Sequence, residues 1–237
     1  VSVPEPPLSR RRRGIGHILG YAVLSCALAA CGSTVSGHPM AIHDRIAARQ
    51  VDADLPGMLP APDRFPAGYS VVTVSGDQAA AAAADLTAIP PAASVDPPDC
   101  APRPVGPGEV AAEVGTDNTT RSTITVLLTR SDQPLSQVRE QVSRCATVHA
   151  RHGAIDRTIT TRMLPPPPLH ADDTLAFGRT ATGGPAGSGA DPTIRTLLAQ
   201  IGDVRIQTTA MTFGPAQPDT TGLDQVFTAA VAEVHRR

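Results

Sequence analysis

Two hydrophobic periods run through this chain. Leu223, Val226, Phe227, Ala230, Val231 and Val234 fall at i, i+3, i+4, i+7, i+8 and i+11, which is one face of an α-helix. Asp219 and Asp224 stand near its start, and His235, Arg236 and Arg237 near its end, as the helix dipole favours. Leu135, Val138, Val142, Cys145, His149 and His152 are also three and four apart, which predicts an amphipathic helix over 135–152 between Pro134 and Gly153. Elsewhere the period is two. Ile124, Val126 and Leu128 alternate with threonines in a strand over 122–129, preceded by a strand over 111–115 and a turn at 116–120. Further strands are expected over 69–74, 155–161 and 175–182. Runs over 193–201 and 204–213 flank Gly202-Asp203, the signature of a hairpin with a type II′ turn. An alanine run over 78–86 predicts a short helix. Pro90, Pro91, Pro97 and Pro98 predict a stiff loop ending at Cys100, and 183–190 a glycine-rich loop. The order β-α-β-β-α-β-β-β-β-α predicts an α+β fold: a twisted antiparallel sheet with helices packed on one face.

The N-terminus reads as an address. Arg10 to Arg13 form a basic cluster, and 17 uncharged residues, Gly14–Ala30, follow. A basic region, an apolar region and small residues before a cut site make a secretory signal peptide; a spanning helix needs about 20 apolar residues. Leu28-Ala29-Ala30-Cys31-Gly32 resembles a bacterial lipobox, in which the cysteine is lipidated and becomes the first residue of the mature chain. The alternatives are an ordinary signal peptide with a chance cysteine, or lipidation at Cys26; Ser9-Arg10-Arg11 faintly suggests twin-arginine export. Two acyl chains suffice for stable anchoring to a membrane.

Composition narrows the chemistry. All 20 basic residues are arginine, so P-loop nucleotide binding, kinase chemistry and Schiff-base catalysis are excluded. Tryptophan is absent and aromatics are 3%, which disfavours stacking platforms for single-stranded nucleic acid or sugars. Removing residues 1–30 leaves 16 arginines against 21 acids, a net charge of −5, so nucleic acid is not an expected partner.

The lipobox, Phe65-Pro66-Ala67-Gly68-Tyr69, Pro97-Pro98-Asp99-Cys100, Cys145 and the terminal amphipathic helix together resemble actinobacterial cell-envelope lipoproteins of unknown function. These are similar to the extracellular sensor domain of mycobacterial receptor serine/threonine kinases. The resemblance covers about residues 55–237 and implies a sheet with a cleft and a ligand-sensing role. These 237 residues include no kinase half, and one cysteine pair stands where kinase-linked sensors commonly carry two disulfides. The expected organisation is a signal peptide (1–30), a lipidated N-terminus and flexible tether (31–59), and a sensor-like domain (60–237).

Cys100 and Cys145 remain after lipidation, and an even pair in an exported domain predicts a disulfide. His149 and His152, three apart on the expected helix, offer either a shared metal face or dipole-stabilised helix-end residues. His170, Asp172 and Asp173 offer a second cluster or a solvated turn. Gly187-Ser188-Gly189 lacks the upstream glycine of a nucleophile elbow, because Ala186 is there. The expectation is a non-enzymatic binding domain without cofactor or metal, anchored through Cys31 on the outer face of the cell membrane. A hydrophobic or cell-wall-derived ligand would lie between sheet and helix. The alternatives are an envelope hydrolase or other enzyme built on His149, His152, His170 and Asp172, and a scaffold for another envelope protein.

Overall fold

The computed structural model describes residues 49–106, 108–183 and 191–237. The expected signal peptide, Cys26, Cys31, most of the expected tether and residues 184–190 of the glycine-rich loop lie outside these residues. The strands are β1 (Ser70–Ser75), β2 (Ser94–Asp96), β3 (Val110–Asp117), β4 (Ser122–Arg130), β5 (Thr147–His152), β6 (Ile155–Leu164), β7 (Asp173–Thr182), β8 (Pro192–Ile201) and β9 (Val204–Phe213). The helices are α1 (Asp77–Asp85), α2 (Leu135–Arg144) and α3 (Thr220–His235). All nine strands form one open sheet in the order β1-β3-β4-β9-β8-β7-β6-β5-β2. Every pairing is antiparallel, so the class is α+β.

The expected helix over 135–152 divides into α2 and β5. Cys145 ends α2 at φ −97, ψ 37, and from Thr147 the burial alternates: Val148 and Ala150 are buried while Thr147, His149 and Arg151 are exposed. The three-and-four spacing of Cys145, His149 and His152 therefore coincides with a strand that β6 pairs along its length. Gly153, expected to stop a helix, sits in the β5–β6 turn at φ +59. The proline-rich loop also holds the three-residue edge strand β2. The β8–β9 turn forms as expected. Gly202 has φ +55 and Asp203 does not share the positive sign, as a type II′ turn requires.

The helices are divided between both faces of the sheet, in place of the single covered face expected. On one face, Leu223, Val226, Phe227, Ala230, Val231 and Val234 of α3 pack over Ile124, Val126, Leu128, Ile206 and Ala210. Burying each of the valine, leucine, isoleucine and phenylalanine side chains contributes about 1.5–3 kcal/mol. Asp219 caps α3 by accepting from the Gly222 N–H at 2.9 Å, and it receives the Tyr69 hydroxyl at 3.4 Å. Phe65 lies over Gly115 so closely that a Cβ there would come within 2.6 Å of the ring, which is why this row of the sheet needs a glycine.

The opposite face carries α1, packed on Val110, Ala112 and Leu127, and α2, packed on Leu175, Phe177 and Leu198. Topology explains this. The chain runs from β1 at one edge through α1 to β2 at the other edge, returns through Cys100 to β3, and crosses again from β4 through α2 to β5. Three connections thus traverse one face.

The packed chain begins earlier than residue 60. Val51, Leu55 and Met58 are buried with α3, Met58 completely. Asp203 accepts from the Val51 N–H at 2.8 Å and pairs with Arg130 at 2.7 Å, while Arg130 donates to the carbonyls of Val51 and Ala53. The last part of the expected tether (31–59) is therefore packed against the domain.

Candidate functional site

The three crossings leave a cleft of about 310 Å³ between them on the α1/α2 face. Ala83, Leu86 and Thr87 of the α1 segment form one wall, and Val138, Gln141 and Val142 of α2 the other. The return crossing forms the lip with Pro102, Arg103 and Val105. Leu127, Gln207, Leu198, Phe177, Ile159 and Val148 supply the floor from six strands. A second apolar cavity of about 410 Å³ shares Ala83, Thr87, Ile89, Pro102, Arg103 and Val105 with the cleft and continues under Pro90–Ala93. The two share a wall and are lined mostly by apolar side chains.

The expected disulfide joins Cys100 and Cys145, with Cα atoms 5.7 Å apart. Both cysteines line the cleft. The bond ties the return crossing to the end of α2 and so fixes two of the cleft's three borders relative to each other.

Arginine supplies the charge here. Arg103, Arg179 and Arg205 line the cleft, and among the described residues no carboxylate or histidine does. Arg179 follows Leu175 and Phe177 along the inward side of β7, so alternation sends its side chain into the protein. Its guanidinium lies 4.7 Å from the Phe177 ring centre and donates one long bond, 3.5 Å, to the Leu86 carbonyl at the end of α1. It keeps some accessible surface, yet burial pushes its pKa down to about 10. Arg205 is better held: it donates to Gln200 Oε1 at 3.1 Å and to the Gln133 carbonyl, and burial lowers its pKa as well. An arginine has five N–H donors, so Arg179 retains unspent donors in a site without an acid.

The histidine clusters do not assemble. His149 and His152, three apart in β5, point to opposite faces of the sheet. The expectation of one shared helix face for them is therefore overturned. His149 Nδ1 contacts Thr158 Oγ1 at 3.2 Å. His170 packs edge-on against His235, with ring centres 5.9 Å apart. Asp172 accepts from the Gly202 N–H at 2.7 Å, and Asp173 pairs with Arg139 at 3.3 Å. The two clusters lie at opposite ends of ten-residue β7, roughly 30 Å apart along the strand. Among the described residues no group of three metal-ligating side chains occurs.

Sequence reasoning missed Arg179, Phe177 and Arg205. The signal was present in β7: Leu175, Phe177, Arg179 and Ala181 share one side of the strand, so a cation stands within an apolar series.

Among solved structures, the chain is similar to the extracellular domain of PknH from Mycobacterium tuberculosis. The TM-score is 0.51 at 14% identity, covering 80% of this chain and 100% of that one. It is also similar to an uncharacterised protein of Mycobacterium smegmatis, the Rv0999 ortholog, with TM-score 0.47 at 18% identity, covering 77% and 97%. The likeness to the PknH domain is one of fold. No protein-family model and no curated protein sequence matches the chain.

Proposed function

We propose that this protein is an exported, lipid-anchored, non-enzymatic binding domain. Its cleft on the α1/α2 face holds an elongated apolar molecule with an acidic end. The observation that carries the reading is Arg179: a mostly buried cation with donors to spare, facing a mostly apolar space with no carboxylate among its described lining residues. Burying a charge without a counter-ion is costly, and sites that tolerate the cost are often ligand sites. A fold shared with the extracellular domain of PknH, a disulfide, and the signal-peptide and lipobox patterns support a place outside the cell membrane and a sensor-like role. The ligand's apolar body lies along Leu127, Leu198 and Val142, and its acidic end meets Arg179. The cleft lining supports binding in preference to catalysis, since it offers no general base and both its cysteines are oxidised.

The test uses a fluorescent single-chain fatty acid and its methyl ester. The acid binds with one site per chain and the ester more weakly. Ala83→Phe, which thickens the α1 wall, abolishes binding of both. Equal binding to wild type and Ala83→Phe places the probe elsewhere and defeats the reading. For the anchor, wild-type protein partitions into detergent and Cys31→Ala does not; identical partitioning of the two would remove the lipobox from the account.

A further inference from the structure

The α3 face holds a second acid-free cavity, of about 350 Å³, beside the start of α3. Its geometry follows from register. Arg162 of β6 pairs with Gly178 of β7, and Gly178 pairs with Arg195 of β8, so the three residues form one row on one face. Strands about 4.8 Å apart put the two arginine Cα atoms about 10 Å apart, with nothing but the glycine hydrogens between them. The next row along the strands is Thr160, Thr180 and Thr193, which lays hydroxyls beside the arginines. Gln217, Pro218 and Thr220, leading into α3, close the side opposite the sheet. Arg179, the neighbour of Gly178, points to the other face and belongs to the cleft described above.

We infer that this trench is a second binding site, for the phosphate or sulfate ester group of a hydroxyl-rich molecule such as a sugar phosphate. Four observations carry this. Among the described residues no carboxylate lines the cavity, so two like charges face a common space without a described partner there. Like charges on one sheet face repel, and an anion between them relieves that. The Arg195 Nε is buried and has no hydrogen-bond partner among the described residues. The neighbouring acid, Asp219, is engaged with the Gly222 N–H at 2.9 Å and the Tyr69 hydroxyl at 3.4 Å. Finally, packing alone does not demand the glycine, since a Cβ at 178 would meet its nearest atoms at an ordinary 3.7 Å. The missing side chain leaves the floor between two guanidiniums open. Paired arginine forks match the oxygens of a tetrahedral oxyanion. The cavity is the size of a small-molecule site, larger than a bare ion needs, and the threonine row suits hydroxyl groups.

The experiment is calorimetric titration of the full chain with glucose 6-phosphate, inorganic phosphate, sodium sulfate, glucose and sodium chloride, with backbone amide shifts read by NMR. Glucose 6-phosphate is expected to bind best, inorganic phosphate and sulfate more weakly, and glucose and chloride not measurably, with the largest shifts at Gly178 and Thr180. Arg162→Gln and Arg195→Gln each weaken glucose 6-phosphate binding about ten-fold or more, the worth of a lost charge-assisted contact. Gly178→Ala weakens it while the protein stays folded. Ala83→Phe, in the other cleft, leaves it unchanged. Arg162 is exposed, so Arg162→Gln carries the test should Arg195→Gln fail to fold. Three results would overturn the inference: no shift at Gly178, affinity unaltered in Arg162→Gln, or phosphate, sulfate and chloride acting alike, which would mark an adventitious ion only.

Discussion

Replacing Arg179 with methionine separates a ligand donor from a structural cap, because the two roles predict opposite changes in stability. Burial pushes the Arg179 pKa well below the ordinary guanidinium range, to about 10. At 1.36 kcal/mol per unit, keeping this side chain charged in the fold costs about 3 kcal/mol. Against that stand one cation–π contact to Phe177 at 4.7 Å, worth about 1 kcal/mol, and one 3.5 Å bond to Leu86, worth about 0.5 kcal/mol. Methionine keeps much of the aliphatic volume and drops the charge. The expected balance is a gain of about 1 kcal/mol, seen as a rise in Tm of about 2–4 °C. The sign with pH is fixed by the direction of the shift. The folded pKa lies below the unfolded one, so the cost is fully present at every pH below about 10 and fades only as pH rises above that. The gain is therefore flat across the neutral range. The same variant binds the fluorescent fatty acid about ten-fold more weakly while its methyl ester is unaffected. Thermal melts and probe titrations on one preparation decide it. A loss of more than about 1 kcal/mol with unchanged fatty-acid affinity would show that Arg179 serves to cap α1, and the reasoning from buried charge to ligand would be refuted.

Three other perturbations probe the frame that holds the site. Changing Cys100 and Cys145 together to alanine opens a loop spanning 45 positions and is expected to cost about 2–4 kcal/mol in denaturant unfolding, with weaker fatty-acid binding as the return crossing loosens; unchanged values in both assays would mean the bond holds nothing the cleft needs. Asp203→Asn removes the partner of Arg130 at a site where the two side chains are 22% and 32% exposed, so the cost is about 1 kcal/mol, accompanied by faster amide exchange at Val51 and Ala53; slow exchange there would show that the N-terminal segment is held by packing alone. Glu113 is buried with Oε2 unpartnered, and desolvation raises its pKa, so its charged form destabilises the fold above that pKa and the penalty disappears as pH falls. Glu113→Gln should accordingly unfold at higher denaturant than wild type at pH 7 and converge with it as the pH is lowered through the carboxylate range.

The legible parts of the fold are those in which one period stands alone. Leu223 to Val234 fit a helix and no strand, and Gly202-Asp203 between two alternating runs fits little but a hairpin, so α3 and β8–β9 follow from local chemistry. The segment 145–152 satisfies both periods at once. Pairing of Thr147–His152 with β6 decides in favour of the strand, and that pairing is a tertiary event. β2 is three residues long among prolines and exists through its contact with β5. The apolar residues Val51, Leu55 and Met58 were visible, but their partners, Asp203 and α3, lie some 150 residues away and left no local mark. The cleft is hidden for the same reason. Arg179 breaks an apolar series and flags itself, whereas the crossings that place α1, Cys100 and α2 over it are a property of strand order.

Native mass spectrometry of the protein released intact from the envelope of its own cell bears most directly on the central claim. The account predicts one non-covalent adduct per chain, an acidic molecule with a long apolar part, present in wild type, reduced in Arg179→Met and absent in Ala83→Phe. A bare chain mass in wild type, or an adduct retained equally in Ala83→Phe, would contradict it.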